Sequence, residues 1–331
     1  MKFLNGTPSD TYDVVVVGSG AGALTAAATA ARAGKSVVVL EKTQLLGGTT
    51  AVSGGMLWVA DNHHAREAGL SDSKEAAAQY VRAVARGRSR EELLDAALTY
   101  GDTMLRFTED ECGVRFIFLD NFPDYRQDLP GSVEGGRTVE PGLYNIREAL
   151  GGLAVHVRSD GRAPFTMQEY ETWGAFTKFP WAQLHQRQEQ GLVAKGQALV
   201  SMLLASLVRD DAALVVGARG HRLLNDGGRV AGVQLASGET FHAKDGVVLA
   251  TGGFEWDKAL ADSLLASRLY IMCSPPSNTG DGLKMAQRVG AQTRGTGKLG
   301  GLRCPLREIR GMVHRLVRFC VLSGKGRARS W

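Results

Sequence analysis

The sequence predicts an α/β fold built on a parallel sheet, and three observations predict it. Four consecutive valines, Val14 to Val17, run into a glycine-rich turn, and a small-residue helix, Ala21 to Ala33, follows. A second apolar strand, Ser36 to Leu40, ends in an acid, Glu41. Far downstream, Gly246-Val247-Val248-Leu249-Ala250 forms a third strand of the buried type and ends in Thr251-Gly252-Gly253-Phe254. Strands that are apolar along their whole length belong to parallel sheets covered on both faces.

The first turn reads Gly18-Ser19-Gly20-Ala21-Gly22-Ala23, a G-x-G-x-x-A pattern between strand and helix. The glycines permit a tight turn and let the backbone approach a pyrophosphate at a helix N-terminus. Ala23, at the third glycine position, still lets the helix pack closely on the sheet. A purely structural glycine turn is the alternative, and the strand before it and the helix after it argue against that. Glu41 stands at the spacing of an acid that accepts hydrogen bonds from an adenosine ribose. This turn alone does not separate a nicotinamide from a flavin dinucleotide. The second small-residue segment, Gly47-Gly48-Thr49-Thr50-Ala51-Val52-Ser53-Gly54-Gly55, does, and together the two segments point to FAD.

After these segments, Ser73 to Ala85 and Glu91 to Thr108 read as amphipathic helices, with Asp72 and Ser89 as candidate caps. Phe116 to Leu119 is a short apolar piece before the loop Asn121-Phe122-Pro123-Asp124-Tyr125. Leu129 to Glu171, rich in Gly and Pro, reads as a site-lining excursion, and Gln197 to Val208 as a helix. Val215 to Leu224, Arg229 to Leu235 and Thr240 to Ala243 read as a β-meander with Asn-Asp-Gly-Gly and Ser-Gly turns. Two glycines after the strand that ends at Ala250 again admit a ligand at the carboxyl edge of a parallel sheet. Asp281 opens a helix over Leu283 to Val289, where it either binds a cofactor hydroxyl or caps the helix. His63 and His64 adjoin, so their side chains are expected to point apart at a surface helix start, with no metal.

At 331 residues, 44% hydrophobic and 22% charged, the composition is that of a soluble globular protein. No apolar run approaches a bilayer-spanning length, and Met1 to Asp10 is not a signal peptide. Cys112, Cys273, Cys304 and Cys320 lack metal-ligand or CxxC spacing and read as thiols of a reducing, cytoplasmic compartment. Of the chain's 39 Lys and Arg and 34 Asp and Glu, residues 294–331 hold ten and one, which leaves residues 1–293 with 29 against 33 and a net charge of −4. The basic excess therefore belongs to the tail, and the body carries no electrostatic footprint for nucleic acid.

The blocks VVVVGSGAGALTAAATAARAG (14–34), EKTQLLGGTTAVSGGMLWV (41–59), PDY with GRTVEP (123–125, 136–141), ATGGFE (250–255) and NTGDGLKMAQRVGA (278–291) fall in one order. In that order they resemble the flavoprotein family of fumarate reductases and 3-ketosteroid Δ1-dehydrogenases. The likeness covers residues 12–293. It implies a Rossmann-like FAD-binding domain over 1–293, with parallel sheet and meander, whose substrate (cap) domain is largely missing. Gly18, Ser19, Gly20, Ala21, Gly22 and Ala23 would hold the pyrophosphate side, and Glu41 with Lys42 the ribose side. Gly47, Gly48, Thr49, Thr50, Ser53, Gly54 and Gly55 would line the path to the flavin ring. Ala250, Thr251, Gly252, Gly253 and Asp281 complete the implied cofactor set.

Relatives with covalent flavin attach it through a His in the second segment. None stands between 41 and 59, so the FAD is expected to be noncovalent. The steroid branch implies dehydrogenation beside a ring ketone, with a tyrosine base, hydride transfer to flavin N5 and an external electron acceptor. Tyr125 matches the family's site tyrosine that supports the base; a tyrosine merely packed in its loop is the alternative. A fumarate-reductase-like enzyme for a small unsaturated acid, or a non-catalytic flavin-binding fragment, are the other readings.

The family's base and ketone-binding tyrosines lie beyond the point where the likeness stops. From Arg294 the chain turns basic and rich in Gly and Arg. Gly297-Lys298-Leu299-Gly300-Gly301 can be written GGG AAG CTT GGT GG, which from its third base reads Glu-Ala-Trp-Trp, a tetrapeptide of the family at this place. We therefore expect 294–331 to be an out-of-frame, non-native or disordered tail rather than a native domain. Leu306, Ile309, Val313, Leu316, Val317 and Cys320 at helical spacing offer the competing reading, a helix that lies on a membrane surface. Sequencing the gene from codon 285 past codon 331 is expected to reveal Glu-Ala-Trp-Trp and a glycine-rich continuation in another frame; their absence from all three frames would make the tail genuine.

Overall fold

The computed structural model describes residues 1–174, 178–265, 269 and 272–293, with the backbone of 320–323 and 328–329. Most of the tail, and with it the competing helix reading of Leu306 to Cys320, lies outside the described residues. Two compact units result: Met1–Ser53, Gly152–Asp160 and Leu203–Trp331 form the first, and Gly54–Gly151 with Gly161–Met202 the second. Among the described residues, no helix is long and apolar enough to cross a membrane.

Along the chain the first strands and helix are β1 (Lys2–Asn5), β2 (Thr11–Val17), α1 (Ala21–Arg32) and β3 (Val37–Glu41). The second unit then supplies β4 (Leu57–Trp58), α2 (His63–Glu67), α3 (Lys74–Ala85), α4 (Glu91–Asp110), β5 (Phe116–Leu119), β6 (Thr138–Pro141) and β7 (Tyr144–Asn145). Its later part holds α5 (Ile146–Leu150), α6 (Met167–Thr172), α7 (Trp181–Glu189) and β8 (Leu192–Val193), and α8 (Lys195–Arg209) begins there. The chain closes the first unit with β9 (Ala213–Val216), β10 (Gly220–Asp226), β11 (Arg229–Leu235), β12 (Thr240–Leu249), α9 (Lys258–Leu264), α10 (Asp281–Arg288), β13 (Cys320–Ser323) and β14 (Ala328–Arg329).

The first unit is one sheet of order β1-β9-β3-β2-β12-β11-β10, with β13 also on β12 and β14 on β13. Its centre, β9-β3-β2-β12, is parallel throughout. Val15, Val16, Val38, Val39 and Val247 are fully buried there, as expected for strands covered on both faces. Register fixes what the strand ends do. Val17 lies opposite Leu40 on one side and Leu249 on the other, so the turns that follow β2, β3 and β12 open at one edge.

Two strand expectations need correction. Val215 to Leu224 is not one strand. β9 ends at Val216, Gly217 takes the left-handed region (φ +66), and β10 starts again at Gly220 at the far side of the sheet. A β-carbon on Gly217 would lie 2.8 Å from the Gln44 side-chain nitrogen, so backbone freedom at one residue, hidden inside an apolar run, sets this break. Conversely, the last meander strand and the strand that ends near Ala250 are one element, β12, joined through a register shift between Ala243 and Gly246.

The second unit packs Leu105 of α4 with Val59, just after β4, and Val139 of β6 in the sheet β4-β6-β5. Its buried charges are its other framework. Arg137, 1% exposed, donates from Nη2 to Asp72 Oδ1 at 2.6 Å, from Nε to Asp72 Oδ2 at 2.9 Å and from Nη1 to Asp124 Oδ2 at 2.8 Å. The guanidinium sits over the rings of Trp58 and Tyr80, 5.5 and 5.9 Å from their centroids, and Trp58 Nε1 donates to Asp124 Oδ1 at 2.6 Å. The PDY and GRTVEP segments are thus two halves of one ion pair.

This cluster corrects the cap expectations. Ser73, not Asp72, caps α3 by accepting from the Ala76 amide at 3.0 Å. α4 starts after Arg90 with no side-chain cap, so Ser89 has no capping role. Replacing Arg137 alone strands two buried carboxylates. Arg137→Met is expected to cost about 3–5 kcal/mol, read by urea unfolding with tryptophan fluorescence; a loss below about 1 kcal/mol would mean that water relieves the cluster.

Candidate functional site

The edge where β2, β3 and β12 end brings together most of the residues that the sequence singles out. Gly18 follows β2 at φ +108, and its amide donates to the Leu40 carbonyl at 2.8 Å. A β-carbon at Gly18 would lie 2.3 Å from the Ala250 carbonyl oxygen. The glycine is therefore demanded by the backbone of the ATGGFE segment as well as by the turn. Gly20 stands at the N-cap of α1 in extended conformation, and its side-chain-free cap leaves first-turn amides facing outward at the positive end of the helix dipole. The Ala21 amide donates to Thr50 Oγ1 at 3.0 Å, which ties the second glycine-rich segment to the first. Gly22 and Ala23 are buried in α1, Ala23 completely.

Ser19 is the stitch between the segments. Its hydroxyl donates to Glu41 Oε2 at 2.6 Å and accepts from the Gly47 amide at 2.9 Å. Glu41, 7% exposed, accepts the Thr43 amide on its other oxygen at 2.9 Å. A carboxylate has about four acceptor positions, so these bonds orient it without saturating it. Gly47 and Gly48 hold φ +107 and +50, and Thr50–Val52 form one 3₁₀ turn, closed by Ser53 Oγ donating to the Thr50 carbonyl at 2.8 Å.

On the opposite bank Gly252 (φ +76) packs its backbone against Asn278, whose side-chain oxygen would lie 3.2 Å from a β-carbon. Asn278 donates to Thr49 Oγ1 at 3.0 Å and to Glu255 Oε1 at 2.9 Å, and Ser274 donates its hydroxyl to the same Glu255 oxygen. A β-carbon on Gly253 would meet Glu255 Oε2 at 2.1 Å, and one on Gly282 would meet Thr251 Oγ1 at 2.2 Å. Sequence reasoning included Asn278 and Glu255 in its motifs but gave them no role. Their burial, at 5% and 3%, was the missing signal.

Lys42 and Asp281 meet each other. Lys42 Nζ donates to Asp281 Oδ2 at 2.9 Å and to Thr279 Oγ1 at 2.8 Å, and Arg219 forks onto the same carboxylate with two bonds of 3.1 Å. Burial alone would raise the Asp281 pKa, but the hydrogen bonds and charges of Arg219 and Lys42 outweigh it and hold the group at about 2. Asp281 does not cap its helix: the N-cap is Gly280, without a side-chain bond.

The remaining sites lie in the second unit. Gly55 (φ +71) is pressed on the start of α8, where a β-carbon would lie 2.5 Å from the Gly196 amide nitrogen. Packing thus accounts for Gly55 without a ligand; Gly54 precedes it in the same unit. Tyr125 is half exposed, and the burial it does have, with the charge of the neighbouring Tyr80 phenol, pushes its hydroxyl up to about 12. His63 and His64 do not point apart. Their ring centroids are 4.1 Å apart, and both approach Glu109.

The first unit therefore offers a glycine cradle, a helix N-terminus and a buried acid at the end of the neighbouring strand. Around the cradle, Gly20 and Gly48 lie with no atom nearer than 3.4 Å to an added β-carbon, which leaves room over the turn. That donor set suits a pyrophosphate with an adjoining ribose. Residues 13–299 match the model of the FAD binding domain family. The chain belongs to this family of flavin-dependent oxidoreductases.

Among curated relatives, the chain is 71% identical over 302 residues to 4-oxocyclohexanecarboxylate 2-dehydrogenase of Sinomonas cyclohexanicum, with 89% of this chain and 53% of the relative covered. It is 30% identical over 305 residues to 3-oxosteroid 1-dehydrogenase of Mycobacterium tuberculosis, with 85% and 54% covered. The solved 3-ketosteroid Δ1-dehydrogenase of Sterolibacterium denitrificans superposes with a TM-score of 0.76 at 30% identity, over 86% of this chain and 56% of that one. The chain spans about half the length of these relatives. FAD is the cofactor that this family binds, which agrees with the cradle.

Because Gly18 is held both by its φ and by the Ala250 carbonyl, Gly18→Ala must move one of the two segments. Purified Gly18→Ala protein is expected to lose FAD affinity by at least about ten-fold, or 1.4 kcal/mol, measured by flavin fluorescence titration. Unchanged affinity would place the pyrophosphate elsewhere.

Proposed function

We propose that this chain is the FAD-binding part of a dehydrogenase that desaturates a cyclic ketone between the carbons α and β to its carbonyl. The observation that carries this reading is the 71% identity to 4-oxocyclohexanecarboxylate 2-dehydrogenase over nearly all of the chain's body. That relative's named substrate is a cyclohexanone, and position 2 is β to its ketone at position 4. The 3-oxosteroid 1-dehydrogenase, at 30% identity, desaturates a ring at the same place relative to its ketone. Both reactions remove an α-proton and a β-hydride and leave an enone. A small cyclohexanone carboxylate is the substrate class we favour; the 3-ketosteroid expected from the PDY loop is the second reading, and the small unsaturated acid of a reductase has the weaker support of 26% identity to an NADH:acrylate oxidoreductase of Vibrio harveyi.

In this reading the turn Gly18–Ala23 and the N-terminus of α1 bind the pyrophosphate, and Glu41, oriented by Ser19 and Thr43, accepts the ribose hydroxyls. Thr49, Thr50 and Ser53 provide hydroxyls toward the ring, and Asn278 fixes the Thr49 hydroxyl from the opposite bank. The bound flavin supplies the oxidant for the hydride and is held without a covalent bond. Tyr125 follows the clamped Asp124, and burial pushes its hydroxyl above the ordinary phenol value. Protonated at neutral pH as any phenol is, it serves as a hydrogen-bond donor that supports the enolising base, not as the base itself. An external electron acceptor reoxidises the flavin.

The identity of 71% allows a chimera in which residues 1–293 replace the matching half of the Sinomonas enzyme. With dye-coupled detection it is expected to oxidise 4-oxocyclohexanecarboxylate in preference to a 3-ketosteroid, and Tyr125→Phe should lower kcat by about ten-fold or more. A chimera that retains FAD but oxidises only the steroid would overturn the substrate assignment. One that retains FAD and oxidises neither would overturn the proposed reaction.

A further inference from the structure

The second unit contains a cluster that the flavin site does not use. His63 and His64 open the short helix α2, and Glu109 stands near the end of α4. His63 Nε2 lies 3.0 Å from Glu109 Oε2, and His64 Nε2 lies 2.7 Å from Glu109 Oε1. One ligand atom from each of the three residues falls within 4.8 Å of the other two. Among the described residues, the Glu109 carboxylate is paired with these two imidazoles only.

The far side of His63 is also committed. Its Nδ1 lies 2.8 Å from Asp102 Oδ1, which accepts the His63 backbone amide at 2.7 Å as well. Asp102 and Glu109 are seven residues apart on α4, two helical turns, so they present their carboxylates from one face. Asp102 is charge-balanced by Arg66, at 2.6 Å, and Arg106, at 3.3 Å. Asn62, fully buried, fixes the entry to α2: it donates to the Val59 and Gly136 carbonyls at 2.7 and 2.9 Å and accepts the Ala65 amide at 3.0 Å. Phe118 stacks against the His64 ring, with centroids 6.1 Å apart.

These contacts impose a tautomer. Giving Nδ1–H to Asp102 leaves the Nε2 lone pair of neutral His63 facing a carboxylate oxygen. Something positive must lie between them: a second proton, or an ion that both imidazoles and the carboxylate share. We propose that His63 Nε2, His64 Nε2 and Glu109 form a binding site for a divalent transition metal of the zinc class. Asp102 is the outer carboxylate that orients His63, the arrangement usual for metal-bound imidazole. Two imidazoles and one carboxylate suit zinc and its neighbours rather than magnesium or calcium, and three protein ligands leave a fourth position for water. At metal–nitrogen distances near 2.1 Å, tetrahedral ligands stand about 3.4 Å apart, so the Glu109 contacts of His63 and His64, at 3.0 and 2.7 Å, need to open by roughly half an ångström. Side-chain exposures of 9%, 22% and 17% for His63, His64 and Glu109 give an ion a way in. The site is independent of the proposed reaction.

The test is isothermal titration of the tag-free, FAD-loaded full chain with zinc sulfate, in a Cys273→Ser background because that thiol is exposed. One equivalent is expected to bind with micromolar or tighter Kd, and magnesium chloride should give no saturable heat. Glu109→Gln, nearly isosteric, and His64→Gln should each weaken zinc binding by more than about ten-fold, and Asp102→Asn by about ten-fold. Circular dichroism identifies variants that remain folded; because Glu109→Gln and His64→Gln act from different elements, either suffices. No stoichiometric zinc uptake by the parent chain, or uptake unchanged in a folded variant of Glu109 or His64, would overturn the site and leave a protonated His63 between two carboxylates.

Discussion

The cofactor edge depends on backbone segments that approach one another more closely than side chains permit. Gly18 against the Ala250 carbonyl is the approach of backbone to backbone that couples the end of β2 to the end of β12. The parallel register of β3, β2 and β12 delivers three turns to one edge, and the missing β-carbons let them converge. Ser19, Thr50 and Asn278 then convert proximity into connection, each by a hydrogen bond from one segment to another. Burial strengthens such bonds and makes their loss expensive. On the proposed function, a dinucleotide meeting this edge finds dipoles already aimed, so little ordering remains to oppose binding.

The second unit solves a different problem by the same economy of side chains. Arg137 is surrounded by Asp72 and Asp124, a carbonyl and two aromatic faces, so its charge is compensated although water is excluded. Such a cluster adds less net stability than its contacts suggest, since desolvation offsets most of the attraction. What it adds is specificity of placement. Asp124 can accept Arg137, the Trp58 indole and the Val133 amide together only in one loop conformation, and Tyr125 is the next residue. On the proposed function, a donor beside an enolising base gains from such a fixed loop, because a hydrogen bond misplaced by an ångström loses most of its value.

The glycine turn, Glu41 and the two later small-residue segments were legible in the sequence because backbone strain selects glycine there, and selection of residue type is what a sequence displays. α3 and α4 were legible from periodicity and α1 from its small residues after the glycine turn, and each falls within a few residues of expectation. Long-range pairing was not legible. Asp72 looks like a cap because serine, aspartate and a helix start adjoin, yet its partner Arg137 lies 65 residues away. The break at Gly217 was masked by apolar residues on both sides, and the two pieces of β12 were split because a bulge interrupts their alternation. Adjacent histidines on a helix are expected to diverge, yet at the start of α2 both His63 and His64 reach the Glu109 carboxylate, a long-range partner that their spacing does not display.

The division between the two units also explains why the cofactor is more readable than the substrate. Any pyrophosphate dinucleotide requires the same turn, dipole and acid, so the first unit records a cofactor that many reactions share. Substrate choice depends on what contacts the parts of the molecule away from the reacting carbons. A cyclohexanone carboxylate and a 3-ketosteroid present the same ketone, α-proton and β-hydride, and differ in whether a carboxylate or an apolar ring system must be accommodated. A carboxylate calls for a cation or converging amides, and a steroid nucleus for an apolar wall. Desolvating an unmatched carboxylate costs several kcal/mol, whereas a missing apolar contact costs about one per methylene. On the proposed function, the two substrates are thus separated mainly by rejection of the wrong charge.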